Sequence, residues 1–313
     1  MSQAWVPPGK LSSKGTHYIL QQRDDKDSKG LVVFVHGIGT YYYYHEVLAG
    51  HVYNAGFSTL ILDNLGMGHS LYPSEAEDRP SLWNGSGHVA QIRDLLTELS
   101  LVQKPHYLVG HSMGGALATL YAAKYPEEAK GIILLSPSGV QSPFEPKTLP
   151  VTVLRNALPS CLISTIYSGI QKDSVNIERI RKFGDFIDDK SSASEASAQQ
   201  ILKQHLNNKS AVRALFNCAR FFPLTSCHEA VSKVGASSVM VLVLHSDNDK
   251  TVLPKPTTTV WTKALSGRSD EVSRVELVKG AHAFSLEFPE ETGRAVVEWL
   301  LKAEAAGDDL NRK

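Results

Sequence analysis

Five short, continuous runs of apolar and β-branched residues punctuate the chain: LVVFVHGIG (31–39), TLILDN (59–64), HYLVGHS (106–112), GIILLSPSG (131–139) and VMVLVLHSD (239–247). Runs of this length without polar alternation, closed by glycine or another turn residue, predict strands buried on both faces of a parallel sheet. A sixth run, RVELVKG (274–280), is less apolar and is expected nearer an edge, and the weak alternation of 17–22 reads as a further edge strand. Segments with helical spacing lie at 43–56, 88–101, 113–125, 254–265 and 289–303. Strand and helix therefore alternate, which predicts an α/β fold: a mostly parallel central sheet flanked by helices and joined by right-handed crossovers. Functional groups in such sheets gather at the carboxyl ends of the strands.

One region breaks this rhythm. From 140 to 237 the sequence is helix-compatible and holds no strand-like run, with a polar Ala- and Ser-rich patch at 188–200. The pattern predicts a core of 1–139 and 238–313 interrupted by a mostly helical insertion, 140–237. The most apolar part of the insertion, 149–170, contains Pro150, Arg155, Asn156 and Pro159. A membrane span needs ~20 uninterrupted apolar residues, so this segment reads as packed against protein. The stretch between His69 and Trp83, with PSEAEDRPS, reads as an exposed loop.

Composition narrows the function classes. With 313 residues, 42% of them hydrophobic, a sizeable core is affordable, and the 32 basic residues balance the 32 acidic ones without forming a block. That distribution lacks the electrostatic footprint of nucleic-acid binding. The first fifteen residues hold no apolar run long enough for a signal-peptide core, so the expected location is cytoplasmic. Cys161, Cys218 and Cys227 make an odd count with no metal-ligand spacing and read as small buried thiols, compatible with a reducing compartment.

The chemistry concentrates at strand ends. GHSMGG places Ser112 after the HYLV strand and directly before a helix, with Gly110 and Gly114 giving the room that a sharp strand-to-helix turn requires. A serine so placed is a candidate nucleophile. Its oxyanion would need two donors: the N–H of Met113 at the helix start is one, and the N–H of Ile38, in the HGIG loop after an earlier strand, is the second candidate. His36 in that loop reads as a structural hydrogen-bonding residue, and His111 as a packing position. HSDNDKTVLP (245–254) offers Asp249 in a turn, with Asp247 as the rival acid, and KGAHAF (279–284) offers His282 in a glycine-containing loop. A buried aspartate on an imidazole fixes the tautomer that accepts a serine proton.

These motifs together resemble the α/β-hydrolase superfamily, on its esterase and lipase side, from about Leu31 to Leu301. HGIG is similar to its oxyanion loop, GHSMGG to its nucleophile elbow, DNLGMGHS (63–70) to its D-x-x-G-x-G-x-S loop, and HSDND to its HG-x-x-D acid turn, with Ser246 where glycine is common. The 140–237 insertion falls where the family carries its cap. The resemblance implies a serine hydrolase with Ser112, Asp249 and His282 as the triad, acting on a small-molecule ester through an acyl-enzyme, without metal or organic cofactor. The apolar 149–170 segment points to an apolar acyl or alkyl group. Within the fold the alternatives are a carbon–carbon bond hydrolase or another triad enzyme, and a receptor-like member that binds a ligand with little turnover. Three catalytic groups in order favour an enzyme over a binding module. The unusual YYYY (41–44) reads as the start of a helix, with lining of an acyl pocket as the alternative.

Overall fold

The computed structural model describes residues 9–24, 26, 28–74, 79–141 and 209–311. Its strands are β1 (Lys10–Leu11), β2 (His17–Gln21), β3 (Leu31–Val35), β4 (Ser58–Leu62), β5 (His106–His111), β6 (Ala129–Leu135), β7 (Met240–Ser246) and β8 (Ser273–Val278). They form one eight-stranded sheet in the order β1-β2-β4-β3-β5-β6-β7-β8. β1 and β2 are antiparallel additions at one edge; the rest of the sheet is parallel. The helices are α1 (Glu46–Asn54), α2 (Pro80–Trp83), α3 (Gly85–Glu98), α4 (Met113–Lys124), α5 (Lys209–Phe221), α6 (His228–Gly235), α7 (Pro254–Ala264), α8 (Phe284–Glu287) and α9 (Pro289–Asn311).

Why the central runs are apolar throughout is visible in the packing. Successive side chains of a strand point to opposite faces, and both faces here are covered. Val33, Val35, Leu108, Leu134 and Val243 meet α3, α4, α6 and α7 on one side. Val32, Phe34, Val109, Ile133 and Leu244 meet α1 and α9 on the other. Each such fully buried side chain contributes about 1.5–3 kcal/mol relative to exposure. β8 lies at the sheet edge, and its mixed burial explains its weaker pattern.

Every expected strand is present, and β1 is an addition that two residues could not announce. Helix boundaries differ in two places for physical reasons. α3 starts at Gly85, because the Asn84 side chain accepts the Gly87 N–H at 2.9 Å and caps it there. α9 runs to Asn311, eight residues beyond its expected end, and its later turns are tied to the sheet by Lys130 Nζ donating to Glu304 Oε2 at 2.5 Å. The loop reading between His69 and Trp83 needs correction: Leu71 is exposed as expected, but Pro80–Trp83 is helical and Trp83 is fully buried against the core. Pro80 at the first helical position sets that turn.

Most of the 140–237 insertion, including the apolar 149–170 segment and Cys161, lies outside the described residues. Of that range, 209–237 is described and helical in α5 and α6, and α6 packs with α4 in the layer that covers the sheet. The loop after β6 is tied to the segment between α5 and α6: Gly139 N–H donates to Leu224 O at 2.9 Å and Gly139 O accepts from Cys227 N–H at 2.7 Å. Among the described residues no helix is long and apolar enough to cross a membrane.

Candidate active site

β5 ends at His111 and α4 begins at Met113, which leaves one residue to turn the chain. That residue, Ser112, takes φ 52° and ψ −116°. A non-glycine residue in so sparsely populated a region costs on the order of 1–3 kcal/mol, and persists only where its surroundings over-determine it. Here they do: Ser112 N–H donates to Leu135 O at 3.0 Å, and its carbonyl accepts from the amides of Gly115, Ala116 and Ser138. A Cβ at Gly110 would sit 2.2 Å from Gly114 O, and one at Gly114 would sit 2.0 Å from Val35 O. The glycines of the motif are therefore a steric requirement of this turn.

The loop after β3 presses on the same point. A Cβ on Gly37 would fall 2.9 Å from His111 Nδ1 and 3.2 Å from Ser112 Cβ. Ile38 follows directly and is half-buried. Among the described residues neither the Ile38 nor the Met113 N–H donates to a protein acceptor. His36 organises this loop: its Nδ1 donates to Gly37 O at 2.8 Å and its Nε2 accepts the Asn64 N–H at 2.8 Å. Those roles require the neutral ring. Burial lowers the His36 pKa, against the opposing pull of Asp63 and the Gly37 hydrogen bond.

Across the sheet, β7 delivers Asp249 and the loop after β8 delivers His282. His282 Nδ1 lies 2.7 Å from Asp249 Oδ2. A carboxylate oxygen only accepts, so Nδ1 carries the proton, and in the neutral ring Nε2 is left with its lone pair. The other oxygen, Oδ1, accepts from the amides of Thr251 at 2.8 Å and Val252 at 2.7 Å, so the carboxylate cannot swing away. Asp249 and His282 are both almost wholly buried. Burial pushes the Asp249 carboxyl up, but His282, the hydrogen bond to it, the Val252 amide and His245 together hold it below the usual aspartate range. The rival acid, Asp247, is exposed and its amide donates to Val278 O at 2.8 Å, so it shapes the turn.

His111 joins the serine turn to the histidine loop. Its Nε2 donates to the backbone carbonyl of His282 at 3.1 Å, and the two rings lie 4.7 Å apart. Behind it Tyr44 stacks at 4.1 Å and 18°, and accepts a hydrogen bond from Ser285 Oγ at 2.9 Å. Burial first, and then His282, push the His111 pKa well below its ordinary value. Of YYYY, residues 42–44 open a 3₁₀ turn into α1, and Tyr44 is a packing residue of the site's floor.

Sequence reasoning missed three neighbours. His245 donates from Nε2 to Val252 O at 2.9 Å and lies 3.5 Å from Asp249 Oδ2, closing the acid turn. Ser246 Oγ donates to Gly280 O and Glu287 Oε2 accepts the Ala281 N–H, one peptide unit upstream of the bond into His282. Only the HSDND pattern hinted at the first two; nothing marked Glu287. Cys218 and Cys227 are buried free thiols as expected, and burial pushes Cys227 up to about 12.

A parallel sheet with a strained strand–serine–helix turn and a buried Asp–His pair at its carboxyl edge defines an α/β-hydrolase-fold protein. The chain belongs to the family described as serine aminopeptidase, S33, whose pattern it matches over residues 26–283. It is similar to the monoglyceride lipase of Rattus norvegicus, 32% identical over 150 residues covering 45% of this chain and 47% of that protein. It is also similar to lipase 3 of Moraxella sp. (strain TA144), 35% identical over 101 residues, 32% of this chain and 30% of the relative. The aligned stretches thus span less than half the length of either relative. Among solved structures, an esterase from Exiguobacterium antarcticum superposes with a TM-score of 0.68 at 18% identity, covering 93% of this chain and 98% of that one.

Proposed function

We propose that the protein hydrolyses carboxylic esters with an apolar acyl or alkyl group through an acyl-enzyme on Ser112. The observation that carries this reading is the buried Asp249–His282 hydrogen bond at 2.7 Å on the edge where Ser112 is held at φ 52°. In this reading the Ser112 hydroxyl attacks the ester carbonyl while His282 Nε2 takes its proton; the imidazolium then protonates the departing alcohol, and water completes the cycle by the same path. Asp249 keeps the proton on Nδ1 and stabilises the charged ring. The amides of Ile38 and Met113, which meet no protein acceptor among the described residues, hold the oxyanion. Removing one such donor typically costs about 3–4 kcal/mol of transition-state stabilisation, which makes their placement as consequential as the triad.

Relatives named monoglyceride lipase and lipase support the ester as substrate and an apolar acyl chain within it. The test is a panel of p-nitrophenyl esters from acetate to palmitate run beside monoacylglycerols. Turnover of at least one acyl ester by the wild type, absent from Ser112→Ala, is expected. No turnover across the panel, or equal turnover by the variant, overturns the proposal.

A further inference from the structure

His282 sits in a loop, and a loop gives a side chain no fixed bearing unless its backbone is anchored. Two side chains from different elements supply such an anchor, and both act on one peptide unit. The peptide between Gly280 and Ala281 has its carbonyl gripped by the Ser246 hydroxyl, which donates to Gly280 O. Its N–H, on Ala281, donates to Glu287 Oε2 at 2.7 Å. Ser246 is the last residue of β7 and fully buried; Glu287 is the last residue of α8 and buried to 8% exposure. A peptide is planar, so holding its oxygen and its hydrogen from opposite sides resists a flip of the whole unit. His282 is the next residue after that plane, and its own carbonyl is taken by His111 Nε2 at 3.1 Å.

Ser246 also faces the acid. Its Oγ accepts the Asn248 N–H at 3.3 Å, inside the turn that ends in Asp249, so one hydroxyl touches both the acid turn and the histidine loop. The resembling family commonly has glycine here, which has no side chain to make the link. Gly280, at φ 129°, leaves no space for a side chain, since a Cβ there would lie 2.8 Å from Glu287 Oε2.

We propose that Ser246 and Glu287 are positioning residues that clamp the Gly280–Ala281 peptide from both ends and thereby set the alignment of His282 on Asp249 and toward Ser112. The inference rests on the reading of Ser112, His282 and Asp249 as the catalytic groups. Both act through the histidine loop and not by contact with substrate.

The experiment measures kcat and KM on the best ester of the panel for Ser246→Ala, Ser246→Gly, Ser246→Thr, Glu287→Ala and Glu287→Gln, with melting temperatures and the rate of fluorophosphonate labelling of Ser112. Misplacement of a catalytic group by about 1 Å can cost on the order of a hundredfold, so Ser246→Ala and Glu287→Ala are expected to lower kcat by about ten- to a hundredfold and to slow labelling in parallel, with KM held within about twofold. Ser246→Thr restores a hydroxyl and Glu287→Gln restores an acceptor oxygen, and each is expected to recover kcat over its alanine counterpart. If one alanine variant does not fold, Ser246→Gly or the alanine variant of the other clamp residue carries the comparison. Folded Ser246→Ala, Ser246→Gly or Glu287→Ala with wild-type kcat, or a loss seen in melting temperature alone, overturns the clamp. Failure of the wild type to label or turn over overturns the underlying reading instead.

Discussion

The tautomer of His282 depends on a single oxygen atom. Asp249 Oδ1 is committed to the amides of Thr251 and Val252, so Oδ2 alone faces the ring. Replacing the carboxylate by an amide would leave that geometry nearly intact, yet an amide NH₂ turned to the ring would favour the wrong tautomer. Asp249→Asn is therefore expected to lower kcat by about ten-thousandfold with little change in melting temperature, read from steady-state kinetics beside a thermal melt. A loss below tenfold would mean that Asp249 does not govern the ring. At this scale the sequence was informative where chain order and turn chemistry coincide. Asp249 was separable from Asp247 because it stands deeper in the turn, and the structure buries the former and exposes the latter. Glu287 was illegible, because a glutamate six residues past Ala281 carries no mark that its carboxylate folds back onto that amide.

Elements were legible in proportion to how many faces they bury. β3, β5 and β7 have helices on both sides, and an unbroken apolar run admits few other readings. β1 makes two residue pairs at an edge and needs no pattern to do so. β6 ends at Leu135, four residues before its expected end, because Ser136 adopts φ 43° and leaves the sheet. No local propensity announces that turn; Ser136 N–H is drawn to Leu244 O at 2.8 Å by the neighbouring strand. α4 is the reverse case: buried on nearly all sides, it shows weak amphipathic pattern, yet its start was fixed by the Ser112 turn. The candidate groups follow the ends of β3, β5, β7 and β8, and parallel register sets those ends side by side, Val35 beside Gly110 and Ser246 beside Val278.

At the scale of the molecule, several imidazoles are buried among the described residues. Burial, as the largest cause, lowers the pKa of His36, His45, His88, His106, His111 and His245, to about 3 at His45 and about 4 at His88. An unfolded chain protonates its histidines as pH falls through about 6.5; the folded one resists until the lowered values are reached. Over that interval the unfolded state binds more protons, so stability declines as pH falls. Asp249 adds to the decline lower down: its depressed pKa gives stability that is full above the ordinary aspartate range and is lost as pH falls through the depressed value. The melting temperature is accordingly expected to fall steadily from pH 7 to pH 4.5, measured by scanning calorimetry, while a flat profile would contradict the neutral, buried state of these rings.

Activation of one serine by the fold is read out by fluorophosphonate labelling followed by mass spectrometry of the peptides. A single adduct is expected, on Ser112, that disappears in His282→Ala. An unlabelled wild-type protein, or an adduct on another serine with Ser112 untouched, would contradict it.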